Sequence, residues 1–175
     1  MVRSLVRSFA RSDMVDVDLE VVLSGKKTPL AANPESAMQL DMPISQSLRV
    51  RLADLRKALL TLHKVLLDGE KIQYEKLHGQ IQGVNHYLNL VMNDPHFEWL
   101  HRISELIVQI DETQDDKECG SRAAVDMIER AQRLFAAREP QDESDFMRHY
   151  KACLMHNPGA VLAHAELRRS LLSDA

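Results

Sequence analysis

The sequence is poor in cysteine, in net charge and in long apolar runs, and each shortage excludes a class of protein. Only Cys119 and Cys153 occur in 175 residues, too few for a disulfide framework or a four-cysteine zinc site. We therefore expect two free thiols in a reducing cytoplasm. No apolar run approaches the ~20 residues that span a bilayer. A net charge of −4 provides no general basic field for nucleic acid.

Glycine and proline are also scarce, at six residues each, and they lie between long periodic stretches. Such stretches with few breakers are typical of an all-helical domain. The 45% hydrophobic content is enough for one ordinary core. The sequence therefore predicts an all-α protein with one main helical domain.

Residues 1–43 differ in character from the rest of the chain. Residues 1–12 carry three arginines spaced four apart, a pattern found in organellar presequences, in basic membrane-surface helices and in loose termini. Residues 16–23 alternate acidic and apolar side chains like a strand, but no partner strand is evident. We expect a poorly structured N-terminal extension or linker.

The predicted domain boundary follows this extension. Met38 and Met42 both lie just before the first strongly periodic helix, so each is a candidate native start. A start there would leave residues 1–37 outside the folded unit. We assign residues 44–175 to the helical bundle domain.

A regular leucine seam predicts the first long helix. Ser45 or Ser47 can cap its start, the helix should run to about Leu77, and Gly79 and Gly83 should end it. The seam follows 4-3-4-3-4 spacing, as in helical bundles. Its residues are Leu48, Leu52, Leu55, Leu59, Leu62 and Leu66.

Several shorter helices should follow the first. Asp94 can cap a restart at Pro95, and Trp99 should begin the buried face of the helix that follows, with Ile103, Leu106, Ile107 and Ile110. The predicted segments are 85–91, 96–112, 121–137, 143–156 and 158–172, with a polar loop over 113–121. Short connections favour antiparallel neighbours, so the fold class is an antiparallel up-down bundle of four main helices with short extra helices.

Polar side chains interrupt the seam in the second half of the first helix. When angles around the helix axis are counted from Leu62 at about 100° per residue, the seam centres at roughly 60°. On the same scale Glu70 lies at roughly 80° and Gln73 at roughly 20°. Glu70 is therefore a carboxylate where the pattern predicts leucine. Without partners, a buried carboxylate would lower the stability of the fold by several kcal/mol, or its pKa would rise until it holds a proton.

Glu70 must then have partners, and the sequence offers several. His63 and Tyr74 lie within reach on the same helix, and Arg102 or Arg130 could approach from a facing helix. The functional interpretation is a ligand-binding pocket inside the bundle. Its candidate residues are His63, Glu70, Gln73, Tyr74 and His164. The alternative is a structural polar cluster that fixes helix register.

The remaining motifs do not predict catalysis or a metal centre. The tetrads Glu75–His78 and Glu98–His101 resemble di-iron ligand pairs, but the helical period turns them away from the apolar stripes. No glycine-rich phosphate loop or GxSxG motif occurs. We therefore predict no metal, no cofactor and no catalytic residue; a protein without catalysis is favoured, and an enzyme with Glu70 as acid or base stays open as the alternative.

Three segments resemble a family of small uncharacterised bacterial all-helical proteins, over about residues 48–170. They are LHKVLLDGEKIQYEKLHGQI (62–81), NLVMNDPHFEWLHRISELIVQIDE (89–112) and, more faintly, FMRHYKACLMHNPGAVLAHAEL (146–167). The resemblance implies an all-helical fold and no assigned activity. The matching positions are His63, Glu70, Tyr74, Glu75, His78, Asp94, Pro95, Trp99, Glu105, Asp111 and His164. His96 stands where the family has an aromatic residue, and His101 where it has arginine.

These observations favour a non-catalytic interaction or regulatory module in the bacterial cytosol. Its partner would be a protein or a second copy of the chain, in a homodimer. The expected contact surface combines the apolar seam with Phe97 and Trp99. The alternative is a small-molecule- or metal-binding helical bundle with its polar pocket around Glu70.

Overall fold

The computed structural model describes residues 43–116, 119–135 and 144–172, and it confirms the predicted all-helical class. Its helices are α1 (Gln46–His78), α2 (Gly83–Asn93), α3 (Pro95–Glu98), α4 (His101–Asp115), α5 (Ser121–Phe135), α6 (Asp145–His156) and α7 (Pro158–Leu172). Within these ranges the only bridge of β type joins Pro43 to Gly120 in isolation. No helix among them has the length and apolar character needed to cross a bilayer.

The predicted N-terminal extension falls almost wholly outside this part of the chain. Residues 1–42, with the strand-like segment 16–23 and both candidate starts at Met38 and Met42, lie outside the described residues. The division into an extension and a helical domain therefore stays a prediction.

The long helix α1 begins and ends as predicted. The Ser45 side chain accepts a hydrogen bond from the backbone N–H of Leu48 at 3.2 Å, which caps the start. Gly79 follows the last turn with φ of 87°, a backbone conformation that favours glycine. The seam is buried from Leu52 to Leu66, and Leu48 is half-buried. The apolar period alone therefore located the core-facing side of this helix.

Side-chain contacts show that α4 and α7 each run opposite to α1. Arg56 on α1 pairs with Asp111 on α4, and His63, farther along α1, contacts Ser104, which comes earlier on α4. Near the start of α1, Arg51 Nη2 donates to the Leu171 carbonyl at the end of α7, at 3.5 Å. Farther along α1, Val65 Cγ1 would lie 3.4 Å from a Cβ at Gly159, near the start of α7. The main core therefore lies between α1 and helices that pack antiparallel to it.

The predicted continuous helix over residues 96–112 is wrong. The chain tightens between α3 and α4, where the N–H of Leu100 bonds the carbonyl of Phe97 at 3.0 Å. Phe97, Trp99 and Leu100 are all at most 5% exposed. In a regular helix, residues 97 and 99 would point about 200° apart, yet both side chains are buried beside this tighter turn.

The predicted polar loop over residues 113–121 begins too early. The helix α4 continues to Asp115, and Thr113 is buried within it. Its hydroxyl donates to the Gln109 carbonyl at 2.8 Å, which satisfies the buried oxygen without a loop. The helices α5, α6 and α7 begin within two residues of their predicted starts.

Candidate functional site

Glu70 lies inside the protein, as its position on the seam predicts. Its residue surface is 8% exposed, among the leucines that α1 turns toward the core. One carboxylate oxygen, Oε2, lies 2.8 Å from His96 Nε2. The other, Oε1, accepts a hydrogen bond from the Cys153 thiol at 3.2 Å. Both oxygens therefore have protein partners, the condition under which a buried carboxylate is tolerated.

Hydrogen bonds of Asp94, the residue before α3, hold His96 close to α1. Asp94 caps α3 by accepting from the backbone N–H of His96 at 2.9 Å, and its second oxygen accepts from the Tyr74 hydroxyl at 3.3 Å. The Tyr74 and His96 rings meet edge to face at 5.4 Å between centroids. His96 Nε2 also lies 3.2 Å from the Glu70 carbonyl oxygen. Glu70 and Tyr74 are thus joined through α3 rather than directly.

His63 lies in a different environment from Glu70. Its Nε2 is 3.0 Å from the Ser104 hydroxyl on α4. Burial, and then the nearby charge of His101, lower the pKa of His63 to about 4. His63 is therefore a neutral imidazole at pH 7 and a weak base for any reaction on Ser104.

The other predicted pocket residues are also separate from Glu70. Gln73 is exposed, and His164 Nδ1 lies 2.6 Å from the Tyr150 hydroxyl. Burial raises the pKa of Tyr150, and burial with the Arg168 charge lowers the pKa of His164, so both groups of this hydrogen bond are neutral at pH 7. Neither predicted arginine is the partner found: Arg130 Nη1 donates to Gln109 Oε1 at 2.8 Å, and Arg102 is exposed.

Cys153 gives the cluster around Glu70 its uncharged donor. Burial, followed by its hydrogen bond to Glu70 and the charge of Glu70, raises the pKa of the Cys153 thiol to about 12. The thiol is therefore a hydrogen-bond donor and a poor nucleophile at neutral pH. We call Glu70, His96 and Cys153 the Glu70 cluster, which joins α1, α3 and α6.

One residue of each metal-type tetrad bonds a backbone group instead. Glu75 Oε1 accepts from the backbone N–H of Ile81 at 3.2 Å, which closes the turn after α1. His101 Nε2 lies 2.7 Å from the Val91 carbonyl oxygen. In the described ranges, no group of three or more His, Cys, Asp or Glu side chains is arranged to hold a metal ion.

Phe97 and Trp99, the predicted contact surface, belong to the core. Phe97 is 0% exposed and Trp99 is 5% exposed. The Trp99 ring stacks on His149 at 5.7 Å between centroids. Neither side chain is presented on the surface of the described chain, so the exposed apolar residues must be sought elsewhere.

An uncharged surface segment was not identified from the sequence. Residues 77–93 contain no Asp, Glu, Lys or Arg, in a chain that is 27% charged. In this uncharged segment Leu77 is 73% exposed, Val84 78% and Leu88 43%. The signal was present in the sequence both as a gap in the charge pattern and as a 4-3-4 spacing of apolar residues from Leu77 to Leu88.

The exposure of Leu77 follows from helix lengths. The 33 residues of α1 extend about 50 Å, whereas α4 and α7, with 15 residues each, extend about 22 Å. The last turns of α1 therefore project beyond the core. Leu77 continues the direction of the seam, but none of the described helices covers it and it is 73% exposed.

A second apolar surface lies at the corner between α6 and α7. It is a shallow groove of about 490 Å³, lined by Leu154, Met155, His156, Pro158, Val161 and Leu162. Met155 is 80% exposed and Leu162 71%. This corner packs closely on α1, because a Cβ at Gly69 would lie 3.2 Å from the Asn157 amide nitrogen.

Comparison with models of protein families, with curated protein sequences and with solved structures found no match. The resemblance to small bacterial helical proteins therefore stays a prediction.

Proposed function

We propose that this protein is a non-catalytic interaction module that binds a protein partner through the uncharged segment. The observation that supports this most directly is the exposure of Leu77, Val84 and Leu88 within seventeen residues that lack any charged side chain. Depletion of charge distinguishes the centre of protein interfaces from ordinary surface. Scattered exposed leucines need no explanation, but an uncharged apolar segment does.

The helix α2 suits this role because only one of its sides is attached to the protein. The Tyr87 hydroxyl donates to the Leu67 carbonyl at 3.4 Å, and Lys71 Nζ lies 5.2 Å from the centre of the Tyr87 ring. None of its eleven residues is buried. Val84 and Leu88, four residues apart, share a side of the helix and remain exposed. A partner would cover this side without rearranging the core.

The chemistry of the buried polar groups supports a role without catalysis. Ser104 faces a histidine whose pKa is lowered to about 4, so activation of its hydroxyl at neutral pH would be weak. The Cys153 thiol is protonated at neutral pH because its pKa is raised to about 12. Both arrangements are satisfied hydrogen bonds that contribute to packing.

The proposal includes the architecture and the compartment. We propose an antiparallel up-down bundle of four main helices, supported by the opposite directions of α1 relative to α4 and α7. We place the protein in a bacterial cytosol, supported by its two free cysteines, Cys119 and Cys153. Nucleic acid is not a proposed partner, since the net charge is −4.

Photo-crosslinking in living cells tests the interaction role. A benzoylphenylalanine residue at position 84 of the full chain should form crosslinks to protein on irradiation. The same residue at position 126, where Asp126 is exposed on α5, serves as the control. If position 84 gives no more crosslinked product than position 126, the uncharged segment is not an interface and the proposal is wrong.

A second candidate function is the binding of a small molecule or metal at the Glu70 cluster. It is supported by the partial exposure of the His96 side chain, 22%, beside Tyr74. Zn²⁺ and a panel of small metabolites can be screened by thermal unfolding. A true ligand at a hundredfold excess over its Kd should stabilise the fold by about 2.7 kcal/mol, and Glu70→Gln should abolish that gain. No shift with any compound would remove this candidate.

A further inference from the structure

We infer that the partner bound by the uncharged segment is a second copy of this chain, related by a two-fold axis that passes near Val84. This inference rests on the proposed function and deepens it. Two features of the surface support a self-complementary contact: its lack of charge and its amide side chains.

The lack of charge has a specific consequence in a symmetric dimer. Across a two-fold axis, each surface group meets the same surface of the other copy, so a charge near the axis meets a like charge. Each copy already has a net charge of −4, which opposes association through charged faces. The uncharged segment removes this repulsion where the two copies would touch.

The polar groups of the segment can pair with themselves. A side-chain amide carries both donors and an acceptor, so two copies of one amide can bond each other. Exposed amides occur on the segment at Gln80, Gln82, Asn85 and Asn89. A surface of apolar and amide side chains is therefore complementary to itself.

The size of the segment sets the expected affinity. The helix α2 has eleven residues and is about 16 Å long. With the last turn of α1, it offers less than the ~800 Å² per partner of a standard interface. We therefore expect a weak dimer, with a Kd on the order of tens of micromolar.

Sedimentation of the full chain across concentration tests the inference, from about 5 to about 500 µM so that the expected Kd is bracketed. The wild type should move from monomer to dimer. Val84→Glu and Val84→Lys should each weaken self-association at least about tenfold, while a mixture of the two should recover it as a heterodimer. Met155→Glu, at a residue 80% exposed on α6, is the matched control and should leave association unchanged.

Other outcomes separate this inference from the proposed function. A wild type that stays monomeric throughout would overturn the second copy as partner, as would equal loss of association in Met155→Glu. If position 84 then still crosslinks in cells, and the product contains a different protein, the interaction role stands and only the identity of the partner is wrong. Failure of the mixture to recover dimer would show that the axis does not pass near Val84.

Discussion

Replacing Glu70 with alanine should destabilise the protein, because it removes the acceptor shared by His96 and Cys153. Each of those groups lies within 3.2 Å of a carboxylate oxygen. In the variant, the Cys153 thiol would lose this acceptor, and His96 would keep only the backbone carbonyl of residue 70, 3.2 Å away. Loss of a buried charged partner costs several kcal/mol, and the 22% exposure of the His96 side chain reduces that cost. We expect a loss of about 2 to 3 kcal/mol in the free energy of unfolding.

A double-mutant cycle separates the pair from the general cost of mutation. Glu70→Ala and His96→Ala should be non-additive, with a coupling of at least about 1 kcal/mol. Replacing both with apolar residues, as Glu70→Leu with His96→Phe, should bring stability back to within about 1 kcal/mol of the wild type. Such recovery is expected because the two polar groups are then removed together.

Urea unfolding measures these changes, with the fluorescence of the single tryptophan, Trp99, as the signal. Glu129→Ala is the control, because its ion pair with Arg133 is at the surface, with both side chains more than half exposed. That variant should change stability by less than about 0.5 kcal/mol. If Glu70→Ala costs no more than Glu129→Ala, the carboxylate is not paired in solution and the structural role of the cluster is wrong.

Three further predictions follow from other buried groups. The free energy of unfolding should fall by up to about 3 kcal/mol as the pH is lowered from 6.5 to about 4. The reason is that His63 takes up a proton near pH 6.5 in the unfolded chain but only near pH 4 in the folded chain. His63→Gln should flatten this dependence in urea titrations at several pH values. Asn157→Ala should cost about 1 kcal/mol in the same assay, because the Asn157 side chain accepts from two backbone N–H groups that begin α7, and an unchanged stability would remove the cap. In a Cys119→Ser background at pH 8, Cys153 should react with a disulfide reagent at least about a hundredfold more slowly in the folded chain than in urea, since its pKa is raised to about 12; equal rates would show an accessible thiolate.

The burial of Glu70 could be predicted from the sequence because it depends on one helix alone. A period of 3.6 residues fixes the direction of every side chain on α1 relative to the leucine seam. The partners of Glu70 could not be predicted in this way. His96 is 26 residues away along the chain and Cys153 is 83 residues away, and both approach only after α3 and α6 have packed. The helical period gives neighbours on the same helix, so it favoured His63 and Tyr74.

Gly69 shows the same limit for packing. The low helical propensity of glycine costs about 1 kcal/mol of stability relative to alanine. The leucine seam was nevertheless regular enough to predict that α1 continues through Gly69. What the sequence did not show is the close approach of Asn157, whose amide nitrogen would lie 3.2 Å from a Cβ at this position. The benefit of glycine here arises from a residue 88 positions later, in the cap of α7.

The Glu70 cluster and the uncharged segment are structurally connected, because α2 lies in the chain between two anchors to α1. Its N-terminal anchor is the turn closed by Glu75, and its C-terminal anchor is α3, held by His96 and by the bond from Tyr74 to Asp94. With no buried residue of its own, α2 depends for its position on these anchors, on Tyr87 and on the contact of His101 with the Val91 carbonyl. A polar cluster that holds α3 to α1 therefore helps to fix the direction in which the exposed side of α2 faces. Under the proposed interaction role, the buried Glu70 would then affect binding without contacting a partner.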